Sequence, residues 1–275
     1  MLRFFIYFSV CAITLLTALP ALAADVLGGE VIGGTAPAEE PTAGQEETKE
    51  RDSAKMTQPI YPGVINKVIS KGGNGTPETL LNYPVFKNGK VNSAILAFVK
   101  EMAADFEEDI RIEAGEEKPS SYEMWESHGS YVLEYANPDV VTVVFSIYSY
   151  SGGAHGMLLL RCLNFNLQTG EEFAFDTIFG DPEKALGILS ELSITRLRAE
   201  LGDEADEDMI SYGASPEKSN FNNLILRHDG VAVQFQPYQV APWAAGPQTV
   251  QIDLKELSPA KPNPEIWPDT KNEKK

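Results

Sequence analysis

The sequence has few of the residues on which disulfide and metal chemistry depend. Its 275 residues include two cysteines and three histidines. Cys11 lies in an N-terminal segment that we expect to be removed, so Cys162 is left without a partner for an intrachain disulfide or a cysteine-based zinc site. The histidines, His128, His155 and His228, have neither H-E-x-x-H nor H-x-x-x-H spacing. We therefore expect no metal and no cofactor.

Basic residues are also scarce. The chain has 22 Lys and Arg against 40 Asp and Glu, a net charge of −18. This balance argues against nucleic acid or an anionic lipid surface as a partner, and it suits solubility or a cationic partner. The densest acidic run, residues 203–208, lacks the glycine and spaced oxygens of a calcium loop, so we interpret it as a solvated face. Gly72, Gly73 and Gly75 lack the Lys-Ser/Thr of a phosphate loop, so nucleotide binding is unsupported.

Long hydrophobic runs are absent beyond the first 19 residues. Residues 4–19 are almost wholly apolar, Arg3 precedes them, and Ala21-Leu22-Ala23 fits a small-x-small cleavage site. We predict a signal peptide over residues 1–23, cleaved before Ala24, and a periplasmic or secreted protein. An uncleaved anchor is the alternative, because sixteen apolar residues fall just short of the roughly 20 that span a bilayer.

Composition divides the remaining chain into four parts. Residues 24–57 are rich in Gly, Ala, Pro, Thr and Glu and contain no aromatic residue, so they predict a disordered acidic tether. The Pro- and Lys-rich residues 258–275 predict a loose tail. Between them we expect an N-terminal α+β part at residues 58–128 and a sheet-rich domain at residues 129–257.

Helix signals are clearest in two places. From Asn92, which suits an N-cap, apolar side chains recur at helical spacing and predict a first helix. Asp181-Pro182 predicts the start of another, which ends near Leu201, because proline suits the first helical position. The apolar stripe of the first helix consists of Ile95, Val99, Met102, Phe106 and Ile110.

Strand signals occupy most of the remaining core. Val140–Tyr148 is apolar at both odd and even positions, which predicts a central strand covered on both faces. Asp229-Gly230 favours a two-residue type I′ hairpin. Strands in runs, interrupted by two or three helices, indicate an α+β fold: a helix-containing N-terminal part followed by a mainly antiparallel sheet. The other predicted strands lie at residues 60–69, 80–86, 130–136, 157–167, 221–228, 231–236 and 250–254.

Two segments are unusual enough to suggest function. Residues 148–156 read YSYSGGAHG and residues 235–246 read FQPYQVAPWAAG. Each follows a predicted strand and is too rich in Gly or Pro to continue it, so we expect residues 150–156 and 238–246 to lie close together at one end of the sheet, as a shaped loop surface. Tyr238 and Trp243 offer large apolar faces with polar tips, which anchor sugars and protein partners but also fill cores.

Catalysis at the first segment is the less favoured interpretation. Ser151 and His155 could take part in nucleophilic catalysis, but that chemistry needs an orienting acid in space, and the sequence has no G-x-S-x-G motif. A strand connection whose glycines adopt positive φ explains the same residues. We expect Cys162, which lies among leucines, to be a buried and inert thiol.

Three motifs together resemble an extracytoplasmic domain family. They are Tyr83-Pro84 followed by Asn92 and Ile95, then YSYSGGAHG with residues 164–170 (NFNLQTG), and finally FQPYQVAPWAAGP. The family is shared by the C-terminal domain of a lysozyme-sensing anti-sigma factor and the N-terminal non-catalytic part of PdaC-like peptidoglycan deacetylases. The resemblance spans roughly residues 60–257 and implies an α+β fold.

The resemblance implies a binding or sensing module without an activity of its own. The sequence shows neither the cytoplasmic and membrane segments of the anti-sigma factor nor a separate metal-dependent catalytic domain. We expect a non-catalytic module that binds an envelope component or a basic envelope-acting protein, such as a lysozyme-like hydrolase. A peptidoglycan-binding module is the alternative, and a hydrolase using His155 is a third. The candidate binding residues are Tyr150, Ser151, Gly152, Gly153, His155, Tyr238 and Trp243.

Overall fold

A computed structural model describes residues 61–115 and 118–268 of the chain. The predicted signal peptide, its cleavage site before Ala24 and the tether at residues 24–57 lie outside the described residues. Within them, no helix combines the length and the apolar character needed to cross a membrane.

The described residues form two sheets and five α-helices, which confirms the predicted α+β class. The first sheet is mixed, with order β1-β2-β3-β4-β5, and only its β2–β3 pair is parallel. The second sheet is antiparallel, with order β6-β7-β8. The strands are β1 Ile65–Lys71, β2 Glu78–Val85, β3 Glu126–Asn137, β4 Val140–Tyr150, β5 Met157–Asn166, β6 Leu224–Arg227, β7 Gly230–Gln234 and β8 Thr249–Asp253. The helices are α1 Gly89–Ala114, α2 Phe175–Ile178, α3 Pro182–Leu201, α4 Glu207–Gly213 and α5 Leu254–Leu257.

Helix α1 begins four residues earlier than predicted. Its N-cap is Asn88, whose side chain accepts a hydrogen bond from the Lys90 amide at 2.9 Å. Asn92, the predicted cap, instead bonds both backbone groups of Phe86 at 2.8 Å and fixes the approach to the helix. The apolar stripe is largely as predicted, and the buried residues of α1 are Val91, Ile95, Val99, Ala103 and Phe106.

Strand β4 is covered on both faces, as its sequence predicts. Its odd-numbered residues from Val141 to Ile147 join the core that α1 covers. On the opposite face, Val144 packs with Cys162 and with Ile225 and Ala232 of the second sheet. The second predicted helix is also confirmed, because Asp181 caps α3 and Pro182 begins it.

The two sheets are joined by buried polar side chains. The Thr142 hydroxyl donates to the Asn164 carboxamide oxygen at 2.5 Å and accepts from the Leu226 amide at 2.9 Å. Asn164 donates in turn to the Leu224 carbonyl at 3.0 Å. The Leu224 carbonyl and the Leu226 amide of β6 are thus hydrogen-bonded to side chains of the first sheet. Without these partners, both backbone groups would be costly to bury.

The hairpin between β6 and β7 is displaced by one residue from the prediction. Arg227 pairs with Gly230, so the two-residue loop consists of His228 and Asp229. Gly230 is the first residue of β7, with φ of 151°, and a Cβ there would lie 2.2 Å from the Ile252 carbonyl oxygen. Glycine is therefore required by the close approach of β8 and not by the turn.

The C-terminal residues 258–268 are packed, in contrast to the predicted loose tail. Ile266 and Trp267 are 0% and 2% exposed and belong to the core of the second sheet. Pro262 forms a β-bridge with Phe179. Although the segment is rich in proline, its two large apolar side chains supply enough burial to hold it.

The expected boundary between residues 128 and 129 falls inside β3. That strand pairs with β2 on one side and β4 on the other, so both predicted parts share one sheet. The two main hydrophobic clusters instead place the division after the first sheet. One cluster joins α1 to the first sheet, and the other joins helices α2 to α5 to the second sheet.

Cys162 is expected to resist alkylation in the folded protein. Its side chain is 4% exposed, and burial raises the pKa of the thiol to about 12. Because the thiolate is the reactive form, iodoacetamide at pH 8 should leave Cys162 unmodified until urea unfolds the chain. Mass spectrometry of the Cys162 peptide measures this, and alkylation at the rate of an exposed thiol under native conditions would contradict the burial.

Candidate functional site

The two unusual segments lie against each other. Residues 151–156 connect β4 to β5, and residues 235–248 connect β7 to β8. The rings of His155 and Trp243 stack across this junction, with centroids 4.9 Å apart and planes 17° apart. The expected meeting of the two loops is thus seen in the structure.

Three side chains form what we call the aromatic cluster: His155, Tyr238 and Trp243. The Tyr238 ring lies 5.8 Å from Trp243 and 6.4 Å from His155, and its hydroxyl is 3.3 Å from His155 Nε2. His155 Nδ1 is 2.8 Å from the Gly156 carbonyl, an acceptor, so Nδ1 carries a proton. In neutral histidine, Nε2 then accepts from the Tyr238 hydroxyl. Tyr238 is 46% exposed, so the cluster is a surface feature and not a core.

Tyr238 lies in a strained turn of the second loop. Tyr238 has φ of 66°, in the left-handed region that non-glycine residues seldom occupy. Gln236 and Gln239 hold this turn, because the Gln239 side chain accepts from the Gln236 amide and donates to the Gly213 carbonyl. Gly213 itself leaves no room for a Cβ, which would lie 1.8 Å from the Gln239 carbonyl oxygen. The strained turn is therefore fixed from both sides.

Glycines shape the first loop, as predicted. Gly152 and Gly153 have φ of 106° and 85°. Tyr150 donates to the Gly153 carbonyl at 3.2 Å, so its hydroxyl supports the loop. At Gly156, a Cβ would lie 2.3 Å from the Tyr148 ring, which explains the third glycine by close packing.

His155 has a hydroxyl neighbour but no acid. Its two nitrogens face the Gly156 carbonyl and the Tyr238 hydroxyl, and no carboxylate of the described residues forms an ion pair with it. The structure gives no hydrogen bond between Ser151 and His155. The Ser-His-acid geometry of nucleophilic catalysis is therefore not assembled from these side chains. Among residues 61–115 and 118–268, no three His, Cys, Asp or Glu side chains are grouped to hold a metal ion.

Part of the acidic run 203–208 has structural roles. Asp206 caps α4 by accepting from the Met209 amide at 2.9 Å. Glu207 pairs with Arg198 at 2.6 Å. The other carboxylates of the run are exposed, as a solvated face requires; they are those of Asp203, Glu204 and Asp208.

Two concave regions were missed by the sequence analysis. A groove of about 760 Å³ includes Tyr61, Lys87 and Tyr135 in its lining. A smaller cavity of about 140 Å³, here called the amide pocket, lies beside β5. Its lining consists of Leu159, Leu160, Arg161, Ser219, Asn220, Asn222, Asn223, Gln236 and Gln239. Gln236 and Gln239, which flank Tyr238, were the available signal, but their convergence on β5 depends on residues more than 50 positions apart in the chain.

Comparison with known proteins confirms the family resemblance. Residues 71–158 match the family model described as Deacetylase PdaC, and residues 176–255 match Protein of unknown function (DUF3298). The first loop of the candidate site falls in the former match and Tyr238 and Trp243 fall in the latter. The aromatic cluster is thus assembled from both matched regions.

Curated relatives match only over part of their length. The chain is 29% identical over 201 residues to the peptidoglycan-N-acetylmuramic acid deacetylase PdaC of Bacillus subtilis (strain 168), covering 69% of this chain and 42% of that protein. It is 24% identical over 110 residues to the immunogenic protein MPT64 of Mycobacterium tuberculosis, covering 40% of this chain and 47% of that protein. The chain therefore spans less than half the length of these relatives.

Solved structures share the fold. A DUF3298 family protein from Pseudomonas aeruginosa has a TM-score of 0.58 at 16% identity, covering 74% of this chain and 96% of that chain. A member from Bacteroides fragilis has a TM-score of 0.54 at 18% identity, with the same coverage of both chains. At these identities the likeness concerns the fold alone.

Proposed function

We propose that this chain, in which a PdaC-like region is followed by a DUF3298 region, is a non-catalytic binding module of the cell envelope. The observation that carries the proposal is the aromatic cluster, in which His155 and Trp243 stack at 4.9 Å beside a half-exposed Tyr238. Rigid rings held in this way provide large contact areas with little loss of side-chain entropy on binding. The missing acid beside His155 supports binding over hydrolysis.

The ligand that best fits this surface is a glycan of peptidoglycan. Stacked rings at a surface can receive the apolar face of a sugar ring, and the relative PdaC is named for a peptidoglycan sugar. Residues 148–156 and 235–248 contain no Asp or Glu. The carboxylates of the chain therefore lie outside these two loops. The loops would not repel an acidic ligand and would not require a basic one.

A basic protein, such as a lysozyme-like hydrolase, is the second candidate. The net charge of −18 and the exposed carboxylates of Asp203, Glu204 and Asp208 favour it, because opposite charge accelerates association at low ionic strength. Such binding would weaken as salt rises, whereas stacking of a sugar on the cluster would change little.

Replacing Trp243 by alanine is expected to weaken retention on purified peptidoglycan by at least about tenfold, as for an anchor residue of an interface. Trp243→Phe keeps a ring and should retain most of the binding. Co-sedimentation with sacculi measures both variants, and thermal unfolding shows whether each is folded. Native retention by folded Trp243→Ala would contradict the proposal.

Two further outcomes would replace the proposal of a glycan-binding module by another function. Salt-sensitive binding to lysozyme without retention on sacculi, slowed by Asp203→Asn, Glu204→Gln and Asp208→Asn together, would establish the second candidate. Release of soluble fragments from sacculi by the native chain, abolished in His155→Ala, would establish a hydrolase.

A further inference from the structure

Arg161 differs from the other arginines that the structure describes. Residues 61–115 and 118–268 contain five arginines, and four of them form ion pairs with a carboxylate. Arg111 pairs with Glu108, Arg196 with Glu256, Arg198 with Glu207 and Arg227 with Asp229. Arg161 is half-buried and lines the amide pocket, and the structure gives its guanidinium neither an ion pair nor a hydrogen bond to another described residue. In a chain of net charge −18, carboxylates are plentiful, so a half-buried guanidinium without one is informative.

The walls of the amide pocket are fixed by internal hydrogen bonds. Asn223 accepts from the Cys162 amide at 3.0 Å and donates to the Leu160 carbonyl at 3.1 Å. Gln236 accepts from the Leu160 amide at 2.9 Å and also donates to its carbonyl. These side chains cover the outer edge of β5, which would otherwise expose backbone groups to pairing with another strand. The part of the wall formed by Asn223 and Gln236 is therefore preorganised.

The remaining polar groups of the pocket suit an anion. Arg161, Ser219 and Asn222 are among its lining residues, and the structure gives their side chains no hydrogen bond to another described residue. No Asp or Glu lines it. Its volume of about 140 Å³ corresponds to roughly five water molecules at about 30 Å³ each, enough for a carboxylate but not for a whole disaccharide. A guanidinium binds a carboxylate through two parallel hydrogen bonds, which an ammonium cannot reproduce.

The pocket and the aromatic cluster are built from neighbouring residues of the same two chain segments. Gln236 and Gln239 line the pocket, while Tyr238, between them in the chain, belongs to the cluster. On the other side, Leu159 lines the pocket, and His155 of the cluster lies two residues before β5 begins. One extended ligand can therefore contact both.

We infer that the ligand carries a carboxylate, which binds Arg161 in the amide pocket while a sugar ring lies on the aromatic cluster. This inference rests on the proposed function and adds the charge of the ligand to it. Peptidoglycan offers the group from two sources, the lactyl ether of its muramic sugar and its stem peptide.

Isothermal titration calorimetry with three probes tests the inference. The probes are tetra-N-acetylated chitotetraose, which is neutral and is called chitotetraose below; a tetrasaccharide of alternating N-acetylglucosamine and N-acetylmuramic acid without stem peptide; and the free stem peptide. Arg161→Gln should weaken binding of the muramic tetrasaccharide by about 10- to 100-fold, as expected for loss of hydrogen bonds to a charged group, and leave chitotetraose unchanged. Arg161→Lys should recover only part of the affinity. Arg111→Gln, which removes the same charge from α1, should behave as the native chain.

The outcomes separate this inference from the proposed function. If Trp243→Ala loses both oligosaccharides while Arg161→Gln binds every probe as the native chain does, the carboxylate site is wrong and the glycan module stands. An equal loss of chitotetraose and the muramic tetrasaccharide in Arg161→Gln would also overturn the site. If only the stem peptide depends on Arg161, the carboxylate site is supported and its source is the peptide. If Trp243→Ala binds all probes normally, the proposed function itself fails.

Discussion

Replacing Trp267 by alanine is expected to lower the free energy of unfolding by about 3–5 kcal/mol, the usual cost of removing a large aromatic side chain from a core. Trp267 is 2% exposed, packs with Phe179 at 6.3 Å between ring centroids, and donates from its indole nitrogen to the Arg227 carbonyl at 2.7 Å. Alanine would leave a cavity and remove the donor to that carbonyl. Both effects act on the second sheet, next to the β6–β7 hairpin.

Urea unfolding followed by circular dichroism measures this loss. Trp267→Phe is the matched control, because it keeps a ring against Phe179 and removes the indole donor; we expect it to cost less than alanine. An unchanged urea midpoint for Trp267→Ala would mean that residues 258–268 do not pack in solution as they do in the structure.

Replacing Thr142 by valine is expected to cost about 2–6 kcal/mol, although valine has nearly the same shape, because two buried polar groups lose their partner. Thr142 is 0% exposed, and its hydroxyl serves both Asn164 and the Leu226 amide. Valine would leave the Leu226 N–H and the Asn164 oxygen without this partner, and a buried polar group that loses its partner costs about 1–3 kcal/mol. The two sheets would separate at this point before either loses its own hydrophobic core.

Thr142→Ser is the control, since it keeps the hydroxyl and loses only a methyl group; we expect a cost of about 1 kcal/mol. Chemical denaturation compares the two variants, and amide hydrogen exchange at Leu226 reports the affected bond directly. If Thr142→Val is as stable as Thr142→Ser, the hydroxyl does not join the sheets in the way the structure shows.

Local patterns in the sequence predicted the elements well. The apolar stripe of α1, the cap and proline that begin α3, and the double covering of β4 all follow from residues within a few positions of one another. The glycines at 152 and 153 were predicted to take positive φ for the same reason: backbone freedom is a property of the residue itself. These features determined the α+β class.

Tertiary structure decided the features that depend on which residues and segments come into contact in the folded protein. Asn88 and Asn92 are chemically equal candidates for the cap of α1, and only the position of Phe86 assigns Asn92 elsewhere. The packing of residues 258–268 and the parallel pairing of β2 with β3 likewise depend on chain segments that meet only in the folded protein. Their local sequence carries no periodic signal for these contacts.

The candidate site shows the same division. The sequence by itself determined which loops are unusual and that His155, Tyr238 and Trp243 could form a contact surface. It could not show that Arg161 forms no ion pair with another described residue, or that Asn and Gln residues line the same pocket. Hydrophobic periodicity records which face of an element is buried, whereas the ion pairs and amide contacts of a pocket are set by side chains far apart in sequence. The amide pocket exists because the segments at residues 219–223 and 236–239 converge on the edge of β5.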